Sequence, residues 1–187
     1  MNQKIILKYL KTTIINFPIK KIQLFKDEIT VIINNNYLLN FLLFLKLHVL
    51  CQYKILTCIS SVDYPKKQYR FEIIYELLSL RFNHRLKVKT LVNQLQYMES
   101  CENIFSSGGW FECEIFDMFG IFFLNHSNLT RILTDYGFEG YPLRKDFPLS
   151  GYVELRYDEK RKRIINEFIE LSQEYRTFDF YSPWNLI

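Results

Sequence analysis

The sequence predicts an α+β fold: a mostly antiparallel sheet covered by helices on one face, followed by an extended C-terminal ribbon, a terminal helix and an aromatic tail. Three observations carry that prediction. Residues 21–34 and 53–92 hold β-branched or alternating apolar segments bounded by turn residues, the pattern of strands in runs. Segments of helical period interrupt those runs, and an element order of this kind packs as helices over a sheet. Beyond residue 135, Gly137, Gly140, Pro142, Pro148 and Gly151 exclude both a long helix and a central strand.

Taken in order, residues 4–16 place Ile5, Leu10 and Ile14 among lysines at a rough helical spacing, and Pro18 closes that helix. Residues 21–26 and 29–34 then form a β-hairpin across Asp27 and Glu28. Asn34, Asn35 and Asn36 supply a turn and an N-cap for a helix over 37–50, which is apolar on most faces and belongs to the core. Residues 53–62 read as a strand ending at Asp63-Tyr64-Pro65. Residues 68–80 and 86–92 alternate, and with a loop near Asn83 they form an antiparallel hairpin. A short helix is expected within 93–105. Residues 110–119 place Phe111, Ile115, Met118 and Phe119 on one helical stripe, with Ser106 or Ser107 to cap the start and Gly120 for the left-handed position after the last turn. Residues 152–157 read as an edge strand. Residues 160–174 read as a terminal helix with Ile164, Ile165, Phe168, Ile169 and Leu171 as its stripe, and Phe178, Phe180, Tyr181 and Trp184 form the tail. The expected division is an α+β domain over 1–125 and a partner-wrapping segment over 126–187.

Composition narrows the function. A chain of 187 residues buries about 70% of its unfolded surface, enough for one real core. It is 17% aromatic yet contains no alanine, which reads as a bias toward AT-rich codons. The net charge of +4 is diluted; the one basic run, Lys160 to Arg163, is flanked by Asp158, Glu159 and Glu167 and reads as a solvated face. No nucleic acid is therefore expected as partner, and a nucleic-acid or ribosome-associated binding module is the alternative reading. Four cysteines, at 51, 58, 101 and 113, show no C-x-x-C pair and fit reduced thiols rather than a metal site. The most apolar run, 38–50, carries Lys46 and His48 and falls short of the ~20 residues that span a bilayer, so no membrane span is expected.

Candidate chemistry concentrates in Glu112, Glu114 and Asp117. They could serve as an acid/base set or as hard-metal ligands, but 112 and 114 lie about 200° apart on a helix and cannot converge on one ion. Ion pairing with an Arg or Lys of this chain or a partner is the expected use, with Arg131, Arg144 and Lys145 as natural candidates. His126 stands alone in a loop. No nucleophile elbow and no phosphate-cradling glycine pattern is present, so no independent catalytic site is expected. An irregular ribbon cannot satisfy its own backbone and must lie along a surface, of its own domain or of another protein.

Here the residues reach a resemblance. Glu112-Cys113-Glu114, Phe116-Asp117-Met118-Phe119-Gly120-Ile121, His126, the run from Arg131 to Gly140, Pro142-Leu143-Arg144-Lys145-Asp146-Phe147-Pro148-Leu149 and Gly151-Tyr152-Val153-Glu154 resemble the signature of the 30 kDa subunit family of respiratory complex I, NADH:ubiquinone oxidoreductase. Tyr175-Arg176-Thr177-Phe178-Asp179-Phe180 with Ser182-Pro183-Trp184 is similar to that family's ending. The family has Arg between the two glutamates where Cys113 stands. The resemblance implies a structural subunit of the peripheral arm, on the matrix side of the mitochondrial inner membrane. It implies no cofactor in this chain, FMN and iron-sulfur clusters in partner subunits, and as neighbours the hydrogenase-like large subunit and the subunit carrying the terminal iron-sulfur cluster. Partner contact is expected from Glu112, Glu114, Asp117, Arg131, Asp135, Arg144, Lys145, Asp146 and Arg176, and Arg144→Glu is expected to impair assembly while leaving the domain folded.

Overall fold

The computed structural model describes residues 12, 17–26, 28–180, 182 and 184. The helix expected over 4–16 lies, but for Thr12, outside them, as does Tyr181 of the aromatic tail. The described chain is α+β with a mixed five-stranded sheet: β1 (Ile19–Phe25), β2 (Glu28–Ile33), β3 (Ile55–Asp63), β4 (Phe71–Ser79) and β5 (His84–Val92), in spatial order β1-β2-β5-β4-β3. Three of its pairings are antiparallel, while β2 runs parallel to β5.

Alternation along the strands decides which face is covered. Val31, Val88 and Tyr75 lie in register across β2, β5 and β4, and all are buried. The same face carries Ile29, Ile33, Leu86, Phe71, Ile73 and Leu77, which share one core with both helices. The opposite face carries Glu72, Glu76, Lys87 and Lys89, held in cross-strand ion pairs such as Lys87 with Glu76 and Lys89 with Glu72. One apolar face and one charged face is what alternation at period two dictates for a sheet covered on a single side.

Helix α1 (Leu38–Leu47) follows a 3-10 turn at Asn35–Tyr37 and buries Leu38, Phe41, Leu42 and Leu45, the i, i+3, i+4, i+7 stripe. It ends three residues earlier than expected. His48 turns extended, and its N–H closes the helix on the Phe44 carbonyl. The asparagine cap is not realised through a side chain; instead Asn35 Nδ2 donates to the Tyr97 carbonyl at 3.0 Å. Residues 93–105 differ from the expected short helix. They form turns and a two-residue strand, β6 (Met98–Glu99), parallel to β7 (Phe123–Leu124), because β7 offers that backbone a ladder partner that local periodicity cannot reveal.

Helix α2 (Gly108–Phe119) begins two residues before Trp110 and stops at Gly120, whose φ of 72° is the left-handed conformation expected there. Neither serine caps it by a side-chain bond; Ser107 Oγ is directed to the Leu56 carbonyl. A Cβ at Gly108 would stand 2.7 Å from Cys101 Sγ, so the helix start reaches the neighbouring loop only because no side chain intervenes.

The chain divides into two compact units between Phe147 and Pro148, rather than after residue 125. The reason is local. Residues 131–147 are stitched to α2 and β3 by hydrogen bonds described below. In the second unit the expected terminal helix over 160–174 is instead the return strand of a hairpin: β8 (Val153–Asp158) pairs antiparallel with β9 (Arg163–Phe168). Ile164, Ile165 and Phe168 satisfy a helical stripe, but β-branched residues pack better on a pleat, and 152–157 supplies the partner strand. Lys162, at φ 47°, takes the turn, and Arg156 Nε donates to Glu167 Oε2 at 2.8 Å across the pair.

Candidate functional site

The three acids of α2 go three ways. Glu112 is fully buried, and its carboxylate accepts from Ser100 Oγ at 2.6 Å and from the Cys101 N–H at 2.7 Å, tying α2 to the loop before it. Burial pushes the Glu112 carboxyl above its ordinary value, against the Ser100 and Cys101 hydrogen bonds that favour its charge. Asp117 is also fully buried, yet its carboxylate faces the ribbon. Oδ2 accepts from the N–H groups of Ile132, Leu133 and Thr134 at 3.2, 2.7 and 2.9 Å, and Oδ1 from Thr134 Oγ1 at 2.6 Å. Burial alone would raise its pKa, but these donors outweigh burial and hold Asp117 below its ordinary value. Glu114 points outward, on the exposed line of the helix with Trp110.

The expected basic partners are used differently from the expectation. Only Arg131 approaches one of the acids, with Nη1 3.6 Å from Asp117 Oδ1 and 3.0 Å from the Gly140 carbonyl. Arg144 donates from Nε to the Phe119 carbonyl at 2.6 Å, and its guanidinium lies over Tyr141 at 4.3 Å. Lys145 contributes its backbone N–H, to Asp63 Oδ2 at 2.8 Å. Asp63, on β3, is the second anchor of the ribbon. It is buried and takes Nε and Nη2 of Arg70 at 2.8 and 2.9 Å, while the same Arg70 reaches Asp146 at 3.0 Å. Burial would raise the Asp63 carboxyl, but the Arg70 and Lys145 donors hold it below its ordinary value. Asp135 is exposed and folds its side chain onto the Tyr136 N–H at 2.8 Å. In the second unit, Arg176 is exposed beside Phe178. Periodicity missed Asp63, Ser100 and Arg70; a lone Asp at the end of a strand followed within a turn by Arg was the available signal.

Two predictions arise here. A Cβ at Gly120 would meet the Tyr141 ring at 2.5 Å and Arg144 Nη2 at 2.6 Å, in addition to the left-handed strain. Gly120→Ala is expected to cost about 1–3 kcal/mol, read as a lower urea midpoint with unchanged slope. Glu112 has a raised pKa in the fold, so it contributes stability below its ordinary value of 4.5 and loses it as pH rises through the folded value. Above that point the buried charge is a cost. Glu112→Gln keeps an acceptor for the Cys101 N–H and reverses the Ser100 bond, its amide donating to Ser100 Oγ, so neutral-pH stability is expected to stay equal or rise by about 1 kcal/mol, with a flatter pH dependence. A loss of stability at neutral pH would show that the charge itself is required.

A Cys113–His126–Glu112 grouping looks catalytic at first, since His126 Nε2 lies 3.8 Å from Cys113 Sγ and 3.9 Å from Glu112 Oε2. The hydrogen bonds decide otherwise. Nδ1 accepts from the Asn128 N–H at 3.1 Å, which assigns the proton of the neutral ring to Nε2, and that proton is directed to the Gly109 carbonyl at 3.0 Å. No ring lone pair faces the thiol, whose own contact is the Asn128 carbonyl at 3.5 Å. The grouping ties the 126–128 loop to α2; it does not activate a nucleophile.

The second unit presents a surface that helical reading hid. On the hairpin, Val153, Leu155, Tyr157, Ile164, Asn166 and Phe168 share one face, apolar but for Asn166, and Glu154, Arg156, Asp158, Arg163, Ile165 and Glu167 share the other. The apolar face is open: Leu155 is 61% exposed and Phe168 84%. Period-two alternation in 153–157 was the signal in the sequence; on β9 only Ile164 and Phe168 continue it, with Asn166 between them.

A family model described as respiratory-chain NADH dehydrogenase, 30 Kd subunit, matches residues 31–153. The NADH dehydrogenase [ubiquinone] iron-sulfur protein 3 of Beta trigyna is 48% identical over 98% of this chain and 96% of its own. The NADH-ubiquinone oxidoreductase subunit 9 of Reclinomonas americana is 51% identical over 87% of this chain and 79% of its own. A chain of the membrane-bound sulfane sulfur reductase (MBS), an archaeal respiratory membrane complex, shares the fold with a TM-score of 0.67 and 22% identity, over 90% of this chain and 98% of that one. One relative's name speaks of iron and sulfur, yet here none of Cys51, Cys58, Cys101 and Cys113 is in a disulfide, and among the described residues no three His, Cys, Asp or Glu side chains converge on a metal position. A four-thiolate cluster does not fit this donor set. The acid-anchored ribbon, the fold and the identity across nearly the whole chain agree: this chain belongs to the family of the respiratory-chain NADH dehydrogenase 30 kDa subunits.

Proposed function

We propose that the chain is a structural core subunit of the peripheral, matrix-side arm of mitochondrial complex I, bracing the quinone-reducing module without carrying a redox centre of its own. The observation that carries this reading is the open apolar face of the β8–β9 hairpin. A two-stranded hairpin is marginal in water by itself, and a contiguous row of exposed Val, Leu, Tyr, Ile and Phe side chains is a binding surface in want of a partner. The hydrogenase-like large subunit and the subunit holding the terminal iron-sulfur cluster are the proposed neighbours, with FMN and the clusters held by such partners. No helix among the described residues is long and apolar enough to cross a membrane, which agrees with peripheral attachment. The contribution is positional: electron transfer depends on fixed distances between centres, and this chain holds their carriers in register. The expected interface residues divide on this reading. Glu114, Asp135, Lys145, Asp146 and Arg176 are exposed and remain available to partners, whereas Glu112, Asp117, Arg131 and Arg144 shape the surface from within. The test is native electrophoresis of solubilised mitochondrial membranes with antibody to this chain. Co-migration with NADH dehydrogenase activity supports the reading, and recovery of the chain only as a free species overturns it.

A further inference from the structure

A second surface of the first unit has a definite chemistry. An open pocket of about 240 Å³ lies beside the first turn of α2, lined among others by Glu102, Ser106, Trp110, Cys113, His126 and Asn128. Among the described residues no Lys or Arg side chain lines it. Glu102 is fixed there by the N–H and Oγ of Ser127, at 3.0 and 2.8 Å, which hold its carboxyl below its ordinary value. Each oxygen keeps a further lone pair. Trp110 stands in the same lining and is 72% exposed, and Glu114 follows one helical turn later on the same exposed line.

We propose that this pocket receives the guanidinium of an arginine side chain belonging to a neighbouring subunit. The inference rests on the reading of the chain as a subunit of a larger complex. Three features select the ligand. A fixed carboxylate whose basic neighbour among the described residues is the His126 ring, with no Lys or Arg, calls for positive charge. An exposed indole face binds a guanidinium by stacking and by cation–π attraction, which a compact ammonium exploits less well. The hydroxyl of Ser106 offers a further acceptor to the several N–H groups of the guanidinium. The opposing effect is the positive pole of α2, which favours an anion at its first turn. That pole is worth about half an elementary charge, against the full charge of Glu102, so the pocket remains net negative.

The test uses the assembled complex. With p-benzoylphenylalanine at position 110, illumination is expected to cross-link this chain to a neighbouring subunit at a peptide containing arginine. Phenylglyoxal labelling of the intact complex is expected to spare that arginine in the wild type and to modify it several-fold faster in Glu102→Gln and in Trp110→Ala. Trp110→Phe is expected to restore protection, since the aromatic face returns. Neither residue is in the core, so loss of folding does not confuse the result. A cross-link to a peptide without arginine, or an arginine labelled equally in all variants, overturns this inference while the chain still co-migrates with the complex. Absence of the wild-type chain from the complex overturns the underlying reading, and the inference with it.

Discussion

Arg144→Glu is expected to destabilise the first unit by about 3–5 kcal/mol, because it breaks a half-buried charge-assisted contact and leaves like charges together. The substitution removes the Nε–H donor to the Phe119 carbonyl and the cation over Tyr141. It then sets a carboxylate among acceptors, with Asp63 and Asp146 close enough to act electrostatically on position 144. Burial and the nearby Arg70 already lower the pKa of Arg144, so the site tolerates its charge only through these contacts. For a chain of this size the effect corresponds to a fall of roughly 6–20 °C in the thermal midpoint. This replaces the sequence expectation that the same substitution would leave the domain folded. An unchanged midpoint together with failed assembly would return Arg144 to the interface.

Leu155→Lys combined with Phe168→Lys is expected to have the opposite profile. Both side chains point from the open face of the hairpin, and neither belongs to the core of the first unit. The thermal midpoint should stay within a degree or two. Incorporation into the complex should fall steeply, because large apolar anchors at the centre of an interface are each worth about 2 kcal/mol or more, a factor of roughly 30 in affinity. Native electrophoresis reads the incorporated fraction. Normal incorporation of the double variant would show that the apolar face meets no partner and would remove the main support for a bracing role.

How much was legible follows from which physical signals are local. Alternation at period two placed β4 and β5, since Phe71, Ile73, Tyr75 and Leu77 can be buried together only as one face of a strand. Gly120 declared the end of α2, because few other residues accept its φ of 72°. The strand over 152–157 was read correctly, but the stretch from 160 to 174 was misread as a helix for a reason of the same kind. Ile164 and Phe168 fit both periods, Ile165 only the helical one, and the pairing that chose between them lies on another strand.

The sequence by itself determined the α+β class, the strands of the central hairpin, the helix bearing three acids and the family to which its motif run is similar. Those properties reside in spacing and residue type along the chain. Only the tertiary structure decided what the acids and bases are for. Asp117 meets backbone N–H groups up to seventeen positions away, and Asp63 meets Lys145 across eighty-two. A carboxylate is satisfied by any well-placed donor, so its partner is fixed by where the fold brings the backbone rather than by the charge of nearby residues.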